Sequence, residues 1–228
     1  MLDLGCGDGA LLAAVEEPSL LVGVDLSRAE LRAAAARLSR GGPLLLQARA
    51  QALPLESATF DVALSQMSLM LMADVESVLG EVARVLRPGD RLSVLVGAGT
   101  VDEDEAWGRF LSLVRPVIEA APVERRSPAL GDPRVREPEA LGRLVRAAGF
   151  VDLTQERAVL DLSGRPDEVW ATVSPLYDVL CLGHHVLDRV RERFLADAGN
   201  LADGEGVVPC RLPVRTLVST KPTDSIGT

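Results

Sequence analysis

A cluster of glycines at alternate positions, close to the start of the sequence, restricts the fold more than any other part of the chain. Gly5, Gly7 and Gly9 follow directly on the short apolar segment 1–4, and an Ala/Leu-rich segment, 10–15, comes next. Glycine has no side chain and tolerates positive φ, so a glycine turn between a strand and a helix lets a ligand lie close to the backbone. The cluster therefore predicts a strand, a ligand-binding turn and a helix of the kind found at nucleotide sites.

Strand and helix patterns continue to alternate along the chain. Ser27 and Glu30 are spaced as a capping box for an Ala-rich helix, and Asp74 can cap a second helix that Pro88 and Gly89 end. Because repeated βα units bring strands side by side in the same direction, the pattern predicts a parallel sheet with helices on both faces. The predicted strands cover residues 1–4, 20–24, 44–46, 60–65, 91–96, part of 150–162, and 214–219.

The composition limits the kinds of partner. The 228 residues carry a net charge of −9 and no run of Lys or Arg, whereas nucleic-acid affinity comes largely from neutralising phosphates. We therefore expect no nucleic-acid partner. The three cysteines lack metal-site spacing, so no metal site is predicted. With no apolar run of about 20 residues and no signal-peptide start, we expect a cytoplasmic protein without a membrane partner.

The first hundred residues resemble one known family. Residues 3–9, DLGCGDG, are similar to the D-x-G-x-G-x-G signature of class I S-adenosylmethionine-dependent methyltransferases. Residues 49–54, RAQALP, followed by FDV at 60–62, resemble a run that surrounds the adenine in small-molecule, type 11-like members. A dehydrogenase would instead have a G-x-G-x-x-G turn. The resemblance implies an α/β fold: a Rossmann-like doubly wound sheet of about seven strands, mostly parallel with an antiparallel last strand, with helical insertions.

The resemblance also implies a set of cofactor contacts. Asp25 matches the carboxylate that accepts hydrogen bonds from the ribose hydroxyls. Arg49 stands where the family usually has an acidic residue for the adenine amino group, so adenine recognition is expected to rest on the backbone at Ala50 and Gln51. Only two residues precede Asp3, and a more open cofactor site is expected. The residues expected to bind S-adenosylmethionine, and its product S-adenosylhomocysteine, are Asp3, Gly5, Cys6, Gly7, Asp25, Leu26, Ala50, Gln51, Ser65 and Gln66.

The later part of the chain is expected to cover the acceptor. Within a single methyltransferase domain, 1–228, the segments 101–138 and 164–206 are predicted to be substrate-covering insertions. The second contains His184 and His185. Either could act as the catalytic base, or the two could form a polar pair on a partly exposed helix. Each of several other side chains could line the pocket or fill a core: Met67, Met70, Met72, Trp107, Trp170, Tyr177 and Asp178.

The resemblance implies an enzyme of class EC 2.1.1 that methylates a small molecule. The expected acceptor is a natural-product or metabolite hydroxyl, amine or carbon nucleophile. Two alternatives stay open: a protein that keeps the fold and the cofactor but acts as a cyclase, isomerase or non-catalytic partner, and a methyltransferase for a macromolecule. Besides the acceptor, a second copy of the chain is kept as a candidate partner in a homodimer.

Overall fold

The computed structural model describes the chain outside residues 17–19, 39–41, 99–101, 103, 121–130, 176–181 and 224–228, with only the backbone at 184. Within the described residues one seven-stranded sheet has the order β3-β2-β1-β4-β5-β7-β6. Its strands are β1 (Leu2–Leu4), β2 (Val22–Asp25), β3 (Leu44–Gln47), β4 (Phe60–Gln66), β5 (Leu86–Gly97), β6 (Val151–Asp161) and β7 (Arg211–Thr220).

The first five strands pair in parallel, and the last pairings are antiparallel. β7 runs against β5, because the amide of Lys221 donates to the carbonyl of Asp90 and the amide of Ala98 donates to that of Pro213. The predicted doubly wound, Rossmann-like sheet of mostly parallel strands is thereby confirmed.

Two of the helices begin at the predicted caps. The Ser27 hydroxyl accepts from the amide of Glu30, and the Asp74 carboxylate accepts from the amide of Ser77. No helix in the described part of the chain is long and apolar enough to cross a membrane. The helices are α1 (Ala10–Ala13), α2 (Arg28–Arg37), α3 (Val75–Val85), α4 (Ala106–Ala120), α5 (Pro138–Ala147), α6 (Pro166–Val173) and α7 (His184–Leu201), with 3-10 turns at Leu69–Leu71 and Pro133–Arg136.

The start of β5 differs from the prediction. The strand begins at Leu86, directly after α3, rather than at residue 91. Leu86 pairs with Phe60, and the register with β4 then shifts, so that Pro88 and Gly89 lie in a bulge of β5. Proline is tolerated in a bulge because no ladder hydrogen bond is required of it there. On the other side of β5, the amide of Gly89 donates to the carbonyl of Lys221 at 2.8 Å.

The chain divides into two compact units. Unit 1 comprises Met1–Gly97, Leu130–Glu156 and Arg215–Thr228, and unit 2 comprises Ala98–Ala129 and Arg157–Val214. The core of unit 1 is mainly aliphatic, with Phe60 and Phe150, and is built on α3, α5 and the central strands. The core of unit 2 is centred on the rings of Phe110, Trp170 and Phe194, whose centroids lie 5.5 to 6.1 Å apart. Most of both predicted insertions falls in unit 2, and their role in covering a substrate stays a prediction.

Gly80, in the interior of α3, has space for a side chain. Apart from its chain neighbours and the backbone of its own helix, no atom of the described residues lies within 4 Å of the position that a Cβ would take there. Because alanine loses less backbone entropy than glycine in a helix, Gly80→Ala is expected to raise the free energy of unfolding by about 0.5–1 kcal/mol in a urea titration. Gly23→Ala is the contrasting variant, since its Cβ would lie 2.6 Å from Cδ1 of Leu12 and is expected to lower stability. A destabilised Gly80→Ala variant would contradict the open surroundings of this residue.

Candidate functional site

The predicted glycine turn lies at the carboxyl end of β1, where the strand order reverses. From β1 the sheet extends to β2 and β3 on one side and to β4 and β5 on the other. In open α/β sheets the loops on either side of such a reversal diverge, and ligands bind in the crevice between them. The turn therefore borders the crevice in which this class of sheet holds its ligand.

The three glycines of the turn have different surroundings. Gly5, Gly7 and Gly9 have φ angles of 73°, 52° and 78°, which favour glycine. A Cβ at Gly5 would lie only 2.5 Å from Cβ of Ser68, so the turn packs directly against the loop after β4. A Cβ at Gly7 would meet a single atom within 4 Å, Oε2 of Glu30 at 3.9 Å. Gly5 is thus required by packing, whereas Gly7 leaves an open backbone surface.

The carboxylate of Asp25, at the end of β2, holds this turn from the other side. Its Oδ2 accepts from the amide of Gly7 at 2.9 Å, and its Oδ1 accepts from the amide of Ser27 at 2.8 Å. A carboxylate can accept about four hydrogen bonds, so about half of this capacity is left for donors on a ligand. Leu26, which follows Asp25, is 64% exposed and adds an apolar surface beside it.

The loop after β3 forms a turn that contains two of the predicted adenine contacts. The amide of Ala52 donates to the carbonyl of Arg49 at 3.1 Å, and this bond closes the turn around Ala50 and Gln51. Both residues are half-buried, while the Arg49 side chain is exposed. The Gln51 amide group donates to the carbonyl of Ala73 and so fixes the turn to the start of α3.

An ion pair on α3 fastens the next part of the same loop. Glu81 and Arg84 are in contact at 2.8 Å. Glu81 accepts from the amide of Leu53 at 2.6 Å, while Arg84 donates to the carbonyls of Leu53 and Leu55 at 3.0 and 2.7 Å. The hydrogen bond from Arg84 lowers the pKa of Glu81. Sequence reasoning missed this pair, whose only sequence signal is two opposite charges three positions apart on a predicted helix.

The two serines after β4 are engaged within the protein. Ser68 donates from Oγ to the carbonyl of Leu4 at 2.6 Å, and its Oγ lies 2.7 Å from that of Ser65. Ser65 is buried and also accepts from the amide of Leu69. Gln66, at the end of β4, is exposed, so its side chain is more accessible to a ligand than those of Ser65 and Ser68.

Asp3 is a buried carboxyl group behind the turn. It is 1% exposed, and no hydrogen-bond partner reaches its Oδ2 within the described structure. Burial raises the pKa of Asp3 to about 7, and the charge of Asp25 adds to the effect. Cys6 is also buried, and burial raises the pKa of its thiol to about 12, so the thiol is neutral at physiological pH.

The predicted catalytic residues lie in unit 2. His185 is exposed in the first turn of α7, while the side chain of His184 lies outside the described residues, as do Tyr177 and Asp178. A catalytic role for either histidine stays a prediction. Trp170 packs against Phe110 and Phe194 in the core of unit 2. In the stretches that the structure describes, no group of three or more His, Cys, Asp or Glu side chains could hold a metal ion.

Comparison with known proteins identifies the family. Residues 2–94 match the family described as Methyltransferase domain. Nocamycin O-methyltransferase from Saccharothrix syringae is 30% identical over 178 residues, which cover 71% of this chain and 62% of that protein. O-methyltransferase cnsE from Penicillium expansum is 31% identical over 168 residues, which cover 69% of this chain and 54% of that protein. The chain thus spans less than two thirds of the length of these relatives.

A solved structure shares the fold. The YcgJ protein from Bacillus subtilis superposes with a TM-score of 0.61 at 16% identity, covering 97% of this chain and 91% of that one. The sheet, the glycine turn and the sequence matches agree: residues 2–94 match a methyltransferase domain, and the chain resembles the class I S-adenosylmethionine-dependent methyltransferases in sequence and in fold. The predicted resemblance is thereby confirmed, while the assignment of individual contacts stays a prediction.

The buried Asp3 makes stability depend on pH. An unfolded Asp has a pKa of about 3.9, and the folded pKa is about 7. Between these values the native state holds a proton that the unfolded state has lost. The stabilising contribution is therefore complete below the unfolded pKa and is lost as pH rises through the folded pKa, with a slope of at most about 1.4 kcal/mol per pH unit.

Asp3→Asn should remove this dependence, because the amide stays neutral at every pH. The measurement is urea unfolding of the wild type and the variant across that pH window, with the variant gaining stability relative to the wild type as pH rises. Asp61→Asn, at an exposed position, serves as the matched control. Parallel pH profiles for the wild type and Asp3→Asn would show that Asp3 does not titrate in this range.

Proposed function

We propose that the chain binds S-adenosylmethionine in the crevice beside the glycine turn and transfers its methyl group to a small-molecule acceptor. The observation that carries this proposal is the pairing of Asp25 with Gly7. The carboxylate holds the turn with one hydrogen bond and keeps capacity for further donors. It lies next to the backbone of Gly7, where a single atom of the described residues, Oε2 of Glu30, would come within 4 Å of a Cβ.

The chain's residues fit the parts of this cofactor. Asp25 would accept hydrogen bonds from the ribose hydroxyls, since vicinal hydroxyls are donors suited to a half-buried carboxylate. The open backbone at Gly7 would lie against the methionine and ribose portion. The exposed Leu26 side chain and the turn at Ala50 and Gln51 would flank the adenine.

When bound, the cofactor supplies a methyl group on a sulfonium, which becomes a neutral thioether on transfer. The protein's contribution is to hold acceptor and methyl donor in line, because alignment supplies much of the rate in such displacements. A base is needed only where the acceptor loses a proton. His184 and His185 are the proposed bases for a hydroxyl or amine acceptor.

The relatives and the charge support a small acceptor with a hydroxyl group. Two of the relatives are named as O-methyltransferases. The net charge of −9 argues against a nucleic-acid substrate. We therefore place a natural-product or metabolite hydroxyl first among acceptors, ahead of amine and carbon nucleophiles.

Calorimetric titration with S-adenosylmethionine and S-adenosylhomocysteine tests the cofactor site. Asp25→Asn replaces one accepting oxygen by a donor and is expected to weaken both affinities by about ten- to a hundredfold, since hydrogen bonds to charged groups contribute about 1.5–3 kcal/mol each. Asp61→Asn changes an exposed carboxylate that is paired with Arg87 and should leave binding unchanged. Unchanged binding in Asp25→Asn would refute the assignment of the site.

Two glycine variants separate ligand approach from packing. Gly7→Ala places a methyl group on the open surface and should weaken binding by about tenfold or more, with a loss of about 1–2 kcal/mol of stability from the positive φ. Gly5→Ala should unfold more readily than Gly7→Ala, because its Cβ would collide with Ser68. Equal effects of both changes on binding and on unfolding would contradict the distinction.

Methyl transfer itself is tested by the formation of S-adenosylhomocysteine with a panel of phenols, alcohols, amines and enolisable carbon acids. Release that depends on one of these acceptors supports the proposal and names its acceptor class. Tight cofactor binding with no release on any of them would contradict the transfer step while leaving the cofactor site intact.

A further inference from the structure

The strand β6 is the outermost strand on one side of the sheet, next to β7. It has 11 residues, and every residue from 157 to 161 is exposed. Val159 is 59% exposed and Leu160 is 38% exposed. An edge strand presents a row of backbone N–H and C=O groups to solvent, and a long apolar edge is a template for pairing with another chain.

The later part of this edge lacks several of the features that prevent pairing, although it carries the charged residues Glu156, Arg157 and Asp161. Residues 153–161 contain no proline, glycine or lysine. The positive φ of Asp152, at 50°, distorts only the beginning of the strand. The opposite edge of the sheet, β3, has four residues and is therefore a much shorter template. β6 is thus the longer of the two sheet edges.

The charges of β6 select one way in which two copies can pair. An antiparallel pair of identical strands has a two-fold axis normal to the sheet, so two residues can face each other only if both point to the same side of their own strand. Side chains alternate along a strand, and the sequence numbers of two facing residues must therefore differ by an even amount.

The strand has one basic residue, Arg157, and three acidic ones, Asp152, Glu156 and Asp161. Of the three, only Asp161 lies on the same face as Arg157.

The resulting register is centred on Val159. It places Arg157 of each copy opposite Asp161 of the other, and it places the two Val159 side chains against each other. Leu160 then faces Ala158 of the second copy. Opposite charges and apolar side chains directly across an antiparallel pair are stabilising, whereas like charges are destabilising. One register therefore satisfies the charges and covers the exposed Val159 and Leu160 side chains together.

Both charged groups are available for such contacts. Arg157 makes none of the ion pairs seen among the described residues. Asp161 accepts from the amide of Ser163 at 3.0 Å, and hydrogen bonding to Ser163 holds the pKa of Asp161 below its usual range. The carboxylate is therefore charged and oriented at neutral pH.

We propose that two copies of the chain associate by antiparallel pairing of their β6 strands about Val159, which joins the two sheets into one. The occupant of the edge is a second copy because the strand is complementary in charge to itself. This proposal does not depend on the proposed methyl transfer.

Charge exchange on the full chain tests the pairing. Arg157→Asp and Asp161→Arg each place like charges opposite each other at two positions, and each should raise the dimer dissociation constant at least about tenfold in sedimentation equilibrium. The double variant, with both changes in one chain, restores opposite charges and should return the constant to within about threefold of the wild type. Asp188→Arg, at an exposed position of α7 outside the pairing, is the control.

Mixing the two single variants tests the predicted charge pairs most directly. A chain with Arg157→Asp carries two acidic groups in the register, and a chain with Asp161→Arg carries two basic ones, so the mixture should form heterodimers although each variant alone is mainly monomeric. Circular dichroism checks that all variants are folded, as expected for changes at exposed positions. A wild type that stays monomeric at every concentration, or a dimer that neither single change weakens, would overturn the proposal.

Discussion

The close approach of Gly5 to Ser68 is the contact on which the cofactor edge of the sheet depends. There is no room for a side chain at Gly5, and the Ser68 hydroxyl bonds to the carbonyl of Leu4 at the end of β1. On the other side, Asp25 holds the amide of Gly7. The turn is thus fixed from two neighbouring strands, and the one glycine that remains uncovered is the one proposed to face the ligand.

The local patterns of the sequence predicted the parts of this site that are close together in the chain. The glycine turn, the acidic end of β2 and the caps at Ser27 and Asp74 each depend on a few adjacent residues, and the structure has all of them. The early start of β5 was not predicted, because it depends on residues that are far apart in the chain. Pro88 and Gly89 resemble a helix stop, but their conformation is set by a pairing with Lys221, more than a hundred residues away.

The sequence patterns did not predict the long-range contacts either. Glu81 and Arg84 fasten a loop about thirty residues earlier, and no pattern in the sequence of α3 indicates which loop that is. Arg215, in β7, is 3% exposed and bonds to the carbonyl of Arg136, and no sequence pattern indicates that this charged residue is buried. Asp3 matched a family signature, whereas its burial and its unpaired oxygen follow only from the packing of β1 between β2 and β4.

The division of the chain into two units has a consequence for how proteins of this kind can diversify. Unit 2 consists of two separate segments of the chain, 98–129 and 157–214, here called excursions; the second includes the end of β6 and the start of β7. Phe110 comes from the first, and Trp170 and Phe194 come from the second, so neither excursion has a complete core by itself. Recombination that exchanged only one of them between related genes would leave half of an aromatic cluster without its partner. The two excursions are therefore expected to be inherited together, as one module encoded in two pieces.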